Sequence, residues 1–322
     1  MQNVSLIDKP KRELIALYIA VAAMYLIPAM VSAPFRSAQN ITNILNQMAP
    51  VGFVALGQTF PILTTGIDLS VGPVVSMTTA LAATYMGFTL GTTLRGLAFC
   101  LLAGVAVGIV NGWLITRLRV EPLIVTLGSS GVISGITLVI MPYPGGYVSP
   151  TFTNWWSYRI GDIVPLGFIY FLVALSLCHF ILNFTRFGRR VYAIGGDQRK
   201  ASVAGIDVSR VKMGVYTLSS LFATIGGLAL AARMRSGDPL AGNPFTLSSI
   251  AAVVVGGTTF AGGVGGVMGT AAGVAILGLL SVILNIFGVS PFYQNVLAGV
   301  IVVAAVIYSS FRSKLDTQGK GV

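Results

Sequence analysis

Charge is what this sequence has least of. Only 9% of its 322 residues are Asp, Glu, Lys or Arg, against about 25% in an ordinary soluble domain. Nine acidic and twenty basic residues cannot cover a globule of this size, so much of its surface must face something other than water. There is one histidine, His179, and there are two cysteines, Cys100 and Cys178, both inside apolar runs. That leaves too little for a metal site or a disulfide framework, and these residues read as packed side chains. No G-x-x-x-x-G-K-[ST] phosphate loop, serine-nucleophile motif or close carboxylate pair occurs, so the chain offers neither a nucleotide-driven engine nor the reactive constellation of an enzyme.

Apolar residues make up 55% of the chain, and its mean hydropathy is +0.85. Apolar runs near twenty residues recur, the length that crosses a hydrocarbon core of about 30 Å. Ten membrane segments are expected: 14–33, 45–66, 70–88, 95–117, 122–142, 163–183, 212–233, 247–261, 266–287 and 292–311. In lipid every backbone amide needs an internal partner, so these must be helices, or broken helices shielded by protein. The expectation is an all-α integral membrane protein of about ten transmembrane helices, a single permeation domain over 1–322. Lys9, Lys11 and Arg12 before the run Leu14–Ala33 imitate a signal peptide. The run exceeds the usual h-region, which favours a retained first helix.

The net charge of +11 does not point to nucleic acid, because the basic residues lie between apolar runs and not on one face. They report orientation instead. With the N-terminus inside, fifteen fall on the cytosolic side and five outside, namely Arg36, Arg95, Arg159, Arg233 and Arg235. Both termini are then cytosolic. Residues 143–162 form a periplasmic loop whose Tyr143, Tyr147, Trp155, Trp156 and Tyr158 suit an interfacial aromatic belt or a docking surface. Residues 184–211 form a cytosolic loop in which Gly195-Gly196 is expected to break the chain. Asp197 then caps a short helix from Gln198 to Ala204, through Arg199, Lys200 and Ala201, and Gly205 ends it. Such a capped knob could enter a groove on a cytosolic partner.

Residues 64–83 (TTGIDLSVGPVVSMTTALAA) and 255–274 (VGGTTFAGGVGGVMGTAAGV) resemble one another when offset by 191, which pairs Gly66 with Gly257, Gly72 with Gly263 and Met77 with Met268. Each falls at the bend between two segments. Glycine-interrupted stretches at matching places in two halves point to a transporter's centre, with helix breaks at Gly66, Gly72, Gly257, Gly262, Gly263 and Gly266. Small residues recur every fourth position at Gly104, Gly108 and Gly112, and again from Gly257 to Gly273, letting helix backbones approach closely. Asp68 is a lone acid at membrane depth, where a carboxylate costs about 2.5–3.5 kcal/mol. It braces a broken helix, contacts solute, or sits in an interfacial turn. Asn46, Gln47, Gln58, Ser70, Thr126, Ser129, Asn285, Gln294 and Asn295 are uncharged polar groups within or beside the spans. They suit a polyhydroxylated solute pathway, and equally serve as glue between helices. The scarcity of titratable groups argues against a proton-coupled carrier.

The stretches GIDLSVG (66–72), EPLIVTLG (121–128), GRRVYAIGG (188–196), AGIDVSRVK (204–212), IAAVVVGGTTFAGGVGGVMGT (250–270) and YQNVLAGVIVV (293–303) run in order along nearly the whole chain. In them the sequence resembles the permease subunits of bacterial ABC importers of the ribose/xylose/galactose type. The resemblance implies an inner-membrane homodimer or pair of related permeases, two ATPase subunits on the cytosolic face, and a periplasmic sugar-binding protein. ATP and Mg would be held by the ATPase, with no cofactor in this chain. It also implies that 195–205 is the segment coupled to the ATPase. Where the family often has Gly-Gly-Asn and then small residues, this chain has Gly195-Gly196-Asp197-Gln198-Arg199-Lys200, which implies an acidic complement on its ATPase. A branched-chain amino acid, nucleoside or signalling-sugar permease of the same superfamily is the alternative within the class. A self-powered carrier or channel is the alternative outside it.

Overall fold

The computed structural model describes residues 8–290 and, beyond them, 293, 296, 299–301, 303 and 304. The long helices are α1 (Asp8–Val31), α2 (Ala38–Leu63), α3 (Val71–Tyr85), α4 (Leu90–Arg117), α5 (Pro122–Ile140), α7 (Leu166–Phe184), α10 (Val208–Met234), α11 (Asn243–Val255) and α12 (Val267–Ile286). Three short helices, α6 (Pro150–Ser157), α8 (Arg186–Gly196) and α9 (Gln198–Val203), and a two-stranded hairpin, β1 (Arg159–Ile160) with β2 (Val164–Pro165), fill the loops.

Helix starts follow from capping chemistry. Ser37 accepts from the Asn40 amide ahead of α2, and Thr89 and Thr92 form a reciprocal capping box ahead of α4. Pro122 opens α5 directly after Glu121, where a missing N–H costs nothing. Nine of the ten expected segments are thus helical, and the tenth, 292–311, lies largely outside the described residues. Not all nine combine lipid-spanning length with a strongly apolar composition. Six are long and apolar enough: residues 12–31 of α1, and α4, α5, α7, α10 and α12. α11 has 13 residues, about 20 Å of helix, and ends at Gly256 where the sequence suggested an apolar run to 261. α2 is long but carries Asn43, Asn46, Gln47 and Gln58, and 17 of its 26 residues are buried by neighbours.

α10 is the central post, packed against α2, α3 and α4. The small residues of α4 make this possible. Gly104, Gly108 and Gly112 lie on its buried face, and a Cβ on Gly108 would stand 2.6 Å from Thr217 Cα and 2.7 Å from Tyr216 O. Backbones this close gain dispersion where lipid supplies no hydrophobic drive. The second expected ridge is only half a ridge. Gly257–Gly266 is a loop, and only Gly269 and Gly273 lie on a helix, where they face Gly256 and Ala252 of the neighbouring segment. On the outside of the bundle, α1 lies against α12, joined by Tyr18 OH donating to Met268 O at 3.1 Å. Leu102, Val139, Val173 and Phe184 expose most of their surface, as lipid-facing side chains do.

Candidate functional site

The two related stretches are chain returns between helices, at the same end of the bundle. The first, 64–70, joins α2 to α3, and the second, 256–266, joins α11 to α12. They are built differently. The first is fastened by side chains. Asp68, fully buried, accepts at Oδ1 from Ser70 N (3.0 Å) and Ser70 Oγ (2.5 Å), and at Oδ2 from Ser219 Oγ of α10 (2.7 Å). Asn111 Nδ2 of α4 donates to Ser70 Oγ at 3.0 Å. With its amide assigned to satisfy its surroundings, Gln58 of α2 binds the Asp68 backbone twice, at 3.2 Å each. Thr126 Oγ1 of α5 donates to Ile67 O at 3.2 Å. Four helices therefore grip one seven-residue return. Asn111 Oδ1, Tyr216 OH and Ser220 Oγ, buried beside it, have no hydrogen-bond partner among the described residues.

The second return relies on glycine backbone. Gly257, Gly262 and Gly263 adopt φ of +86°, +79° and +68°, which side chains tolerate poorly. Gly266 stands at the N-cap of α12. Gly72, expected as a break, instead lies in the first turn of α3 against Gly242 and Thr246, so its smallness serves contact. Gly66 lies within the first return beneath the Tyr216 hydroxyl, while the left-handed residue there is Thr65, at φ +61°.

The second return and the end of α2 that leads into the first both touch α8. Gly263 N donates to Leu63 O at 3.0 Å, joining one return to the last residue of α2. Tyr192 OH of α8 donates to Gly265 O at 2.9 Å. Gly195 is wedged between Leu63 O and Gly263, and a Cβ there would meet backbone on both sides. Thus Gly195 and Gly196 do not break the chain, as the sequence suggested. They close α8, and the glycine is required by close approach. The knob follows as expected. Asp197 Oδ1 accepts from Arg199 N (2.9 Å) and Lys200 N (3.0 Å), α9 runs Gln198–Val203, and Gly205 turns left-handed at φ +82°. These amides, Lys200's foremost, hold the Asp197 carboxyl below the usual carboxylate range. Arg199, Lys200 and Gly205 are exposed, Ala201 is buried, and Val203 is 90% exposed at the tip.

The polar residues expected along a pathway separate into groups. Gln58, Asp68, Ser70 and Thr126 join in the clamp, with Ser129 one turn on, bonded to Thr126 O. Asn285 lies near the far end of α12, while Gln294 and Asn295 lie outside the described residues. Asn46 and Gln47 lie toward the opposite end of α2, half-buried, and Asn46 lines a cavity of about 210 Å³ between α2, α6 and α10. That cavity joins Ser157, which the sequence did not single out, with Trp156, Arg159, Arg233 and Arg235, which it singled out only as belt or orientation signals. Their meeting depends on α6 folding back, with Trp156 packed at tilted and edge-on angles among Phe53, Phe152 and Tyr170, its ring 5.4–6.3 Å from theirs. No local pattern announces it. Asn111 and Ser219, the clamp's cross-helix members, also went unseen as a pair with Asp68.

Lipid-length helices around a hydrogen-bonded polar interior, with glycine-rich returns at one end, define a multi-pass membrane protein of the permease kind. The chain belongs to the family described as "Branched-chain amino acid transport system / permease component", which matches residues 40–306. Such proteins are transport components and not enzymes. Among curated proteins it is similar to the ribose import permease protein RbsC of Bacillus subtilis, 37% identical over 304 residues, 92% of each chain. It is likewise 37% identical over 305 residues to RbsC of Escherichia coli K12, again 92% of each chain. The galactose/methyl galactoside import permease protein MglC of Escherichia coli K12 is 32% identical over 315 residues, 92% of this chain and 94% of its own. No solved structure matches the chain.

Proposed function

We propose that this chain is the membrane-spanning permease of an ATP-driven importer, which carries a ribose-, xylose- or galactose-like monosaccharide from the periplasm to the cytoplasm. It works in the inner membrane as a homodimer or a pair with a related permease. A periplasmic sugar-binding protein delivers the solute, and separate ATPase subunits hold ATP and Mg. The excess of Lys and Arg on the α8–α9 side supports a cytosolic position for that end and for both termini.

The observation that carries this reading is the seat of Gly195. One turn of α8 bears on the last residue of α2 and on Gly263 of the second return, and the same segment continues into a capped knob with an exposed Val203 and exposed cations. Only Gly196 and the cap Asp197 stand between α9 and the residue seated against Leu63 and Gly263, a short path for a load applied to α9 from outside the chain. Solute need not bind the two states very differently, because the ATPase biases them. The knob's charge suits an acidic groove on that subunit. The names of the similar proteins, ribose and galactose importers among them, favour a monosaccharide over the amino acid in the family's description.

Reconstitution in vesicles tests the reading. Uptake of a monosaccharide is expected only with the ATPase and binding protein present. Asp197→Ala, which removes the cap of α9, and Gly205→Val, which strains its exit, are expected to leave ATP hydrolysis running while uptake falls. Uptake by the chain alone, or full coupling in both variants, would refute it.

A further inference from the structure

The cavity between α2, α6 and α10 lies at the end of the bundle opposite the clamp, yet on two of the same helices. α2 and α10 carry Gln58 and Ser219 at one end and line the cavity with Asn46 and with Arg233 and Arg235 at the other. Its volume, about 210 Å³, is below the roughly 300–1,000 Å³ of drug-sized pockets, which suits a single sugar ring better than a disaccharide or peptide segment.

The lining is two-sided. Ala49, Pro50, Ala229 and Ala232 present apolar walls together with Trp156, while Asn46, Ser157, Arg159, Arg233 and Arg235 supply polar ones. None of the three arginines forms an ion pair among the described residues. Arg159 makes one long contact, 3.4 Å, to Gln39 Oε1. The Asn46 amide makes no hydrogen bond among the described residues. A pyranose or furanose has this same division: a C–H face that packs on an indole, and a rim of hydroxyls that accept from guanidinium and amide N–H groups. A simple anion would use the arginines and leave the apolar wall without purpose.

The site is also held in shape before any ligand arrives. Trp156 is clamped by three aromatic neighbours. Arg235 stands left-handed at the end of α10, its carbonyl bonded by Val148 N, and Gly145 and Gly237 exchange two backbone hydrogen bonds beside it. Little ordering remains for a ligand to supply.

We infer that this cavity is the first subsite a monosaccharide occupies within the chain after delivery, with Trp156 as its stacking surface and Asn46 and Arg233 as donors to the ring hydroxyls. The inference rests on the importer reading and names where in the chain its solute is met. A ligand here touches both α2 and α10, the helices that carry Gln58 and Ser219 of the clamp.

The test uses the permease–ATPase complex in lipid nanodiscs without the binding protein, and saturation-transfer NMR with D-ribose, D-allose and D-galactose in turn. Transfer to ring C–H protons is expected for at least one sugar. Asn46→Ala and Arg233→Ala should each weaken it roughly tenfold, the loss of one good hydrogen bond, and Trp156→Leu should abolish it. If Trp156→Leu does not assemble, Asn46→Ala decides, since it removes no internal bond. Unchanged transfer in the variants overturns the inference, as does absence of transfer in a complex that imports sugar. It is overturned too if Arg233→Ala keeps the sugar signal but loses affinity for the binding protein, because the cavity is then a seat for acidic side chains of that protein. A wild-type system that imports no monosaccharide defeats the importer reading itself, a separate result.

Discussion

Gly195 and Gly196 are adjacent, chemically identical and structurally opposite, and alanine placed at each should behave accordingly. At Gly195 a Cβ meets Leu63 O and the Gly263 backbone, with Gly263 Cα at 2.9 Å. These are main-chain atoms and cannot rotate aside. The last turn of α8 must withdraw by about an ångström, an overpacking cost of about 1–3 kcal/mol. The shift also strains the 3.0 Å bond from Gly263 N to Leu63 O, worth about 1 kcal/mol. Gly195→Ala is therefore expected to destabilise the complex by about 2–4 kcal/mol, the sum of those two costs. At Gly196 nothing lies within 4 Å, and alanine in the final helical turn should be neutral or slightly stabilising. Melting of the purified complex followed by fluorescence, together with the ratio of ATP hydrolysed to sugar imported, reads both effects. Gly195→Ala should melt earlier and import less per ATP, while Gly196→Ala should match the wild type in both. Equal behaviour of the two variants would refute the wedge.

Three further outcomes follow from the clamp and the knob. Asp68→Ala leaves Ser70 N–H and the Ser70 and Ser219 hydroxyls without their acceptor, a cost of about 3 kcal/mol that should show as lost membrane accumulation. Asp68→Asn retains one acceptor and should assemble, and normal accumulation of the alanine variant would count against bracing. Thr59 and Thr270, hydroxyl to hydroxyl at 2.8 Å and fully buried, join α2 to α12. A double-mutant cycle with valine should give a coupling of about 0.6–1.7 kcal/mol, and zero coupling would discount the bond. The Asp197 carboxyl titrates lower folded than unfolded, so its contribution to α9 is present above pH about 4 and lost as pH falls through the folded value. Exchange protection of the Arg199 and Lys200 amides should fall with acid in the wild type and stay flat in Asp197→Asn.

Much of the fold was legible because lipid-facing helices declare themselves by length and hydropathy. The apolar run at 247–261 misled because hydropathy cannot see where a helix ends. Gly256-Gly257-Thr258-Thr259 carry no charge and lead on into Phe260 and Ala261, so a hydropathy window runs across them, and the helix end is marked only by the turn at left-handed Gly257. The glycine pair at 195–196 misled for a related reason, since glycine serves both a break and a close contact, and only a neighbour 132 residues earlier in the chain, Leu63, tells which. Asp197 and Gly205 were readable because a cap is local. Asp68 announced itself by isolation, but its partner Ser219 lies 151 positions away, and no short-range pattern links them. The cavity is the extreme case, since it gathers residues from three separated segments that sequence reasoning had assigned to unrelated purposes.

The unlike construction of the two returns gives the bundle unequal compliance. One is pinned by a carboxylate, hydroxyls and two amides drawn from four helices, and the other bends on bare glycine. A thrust delivered at Gly195 meets both at once. On the importer reading proposed above, the pinned side would serve as a fulcrum and the glycine side as a flexure, so that a push at Gly195 would tilt α11 and α12 more than α2 and α10.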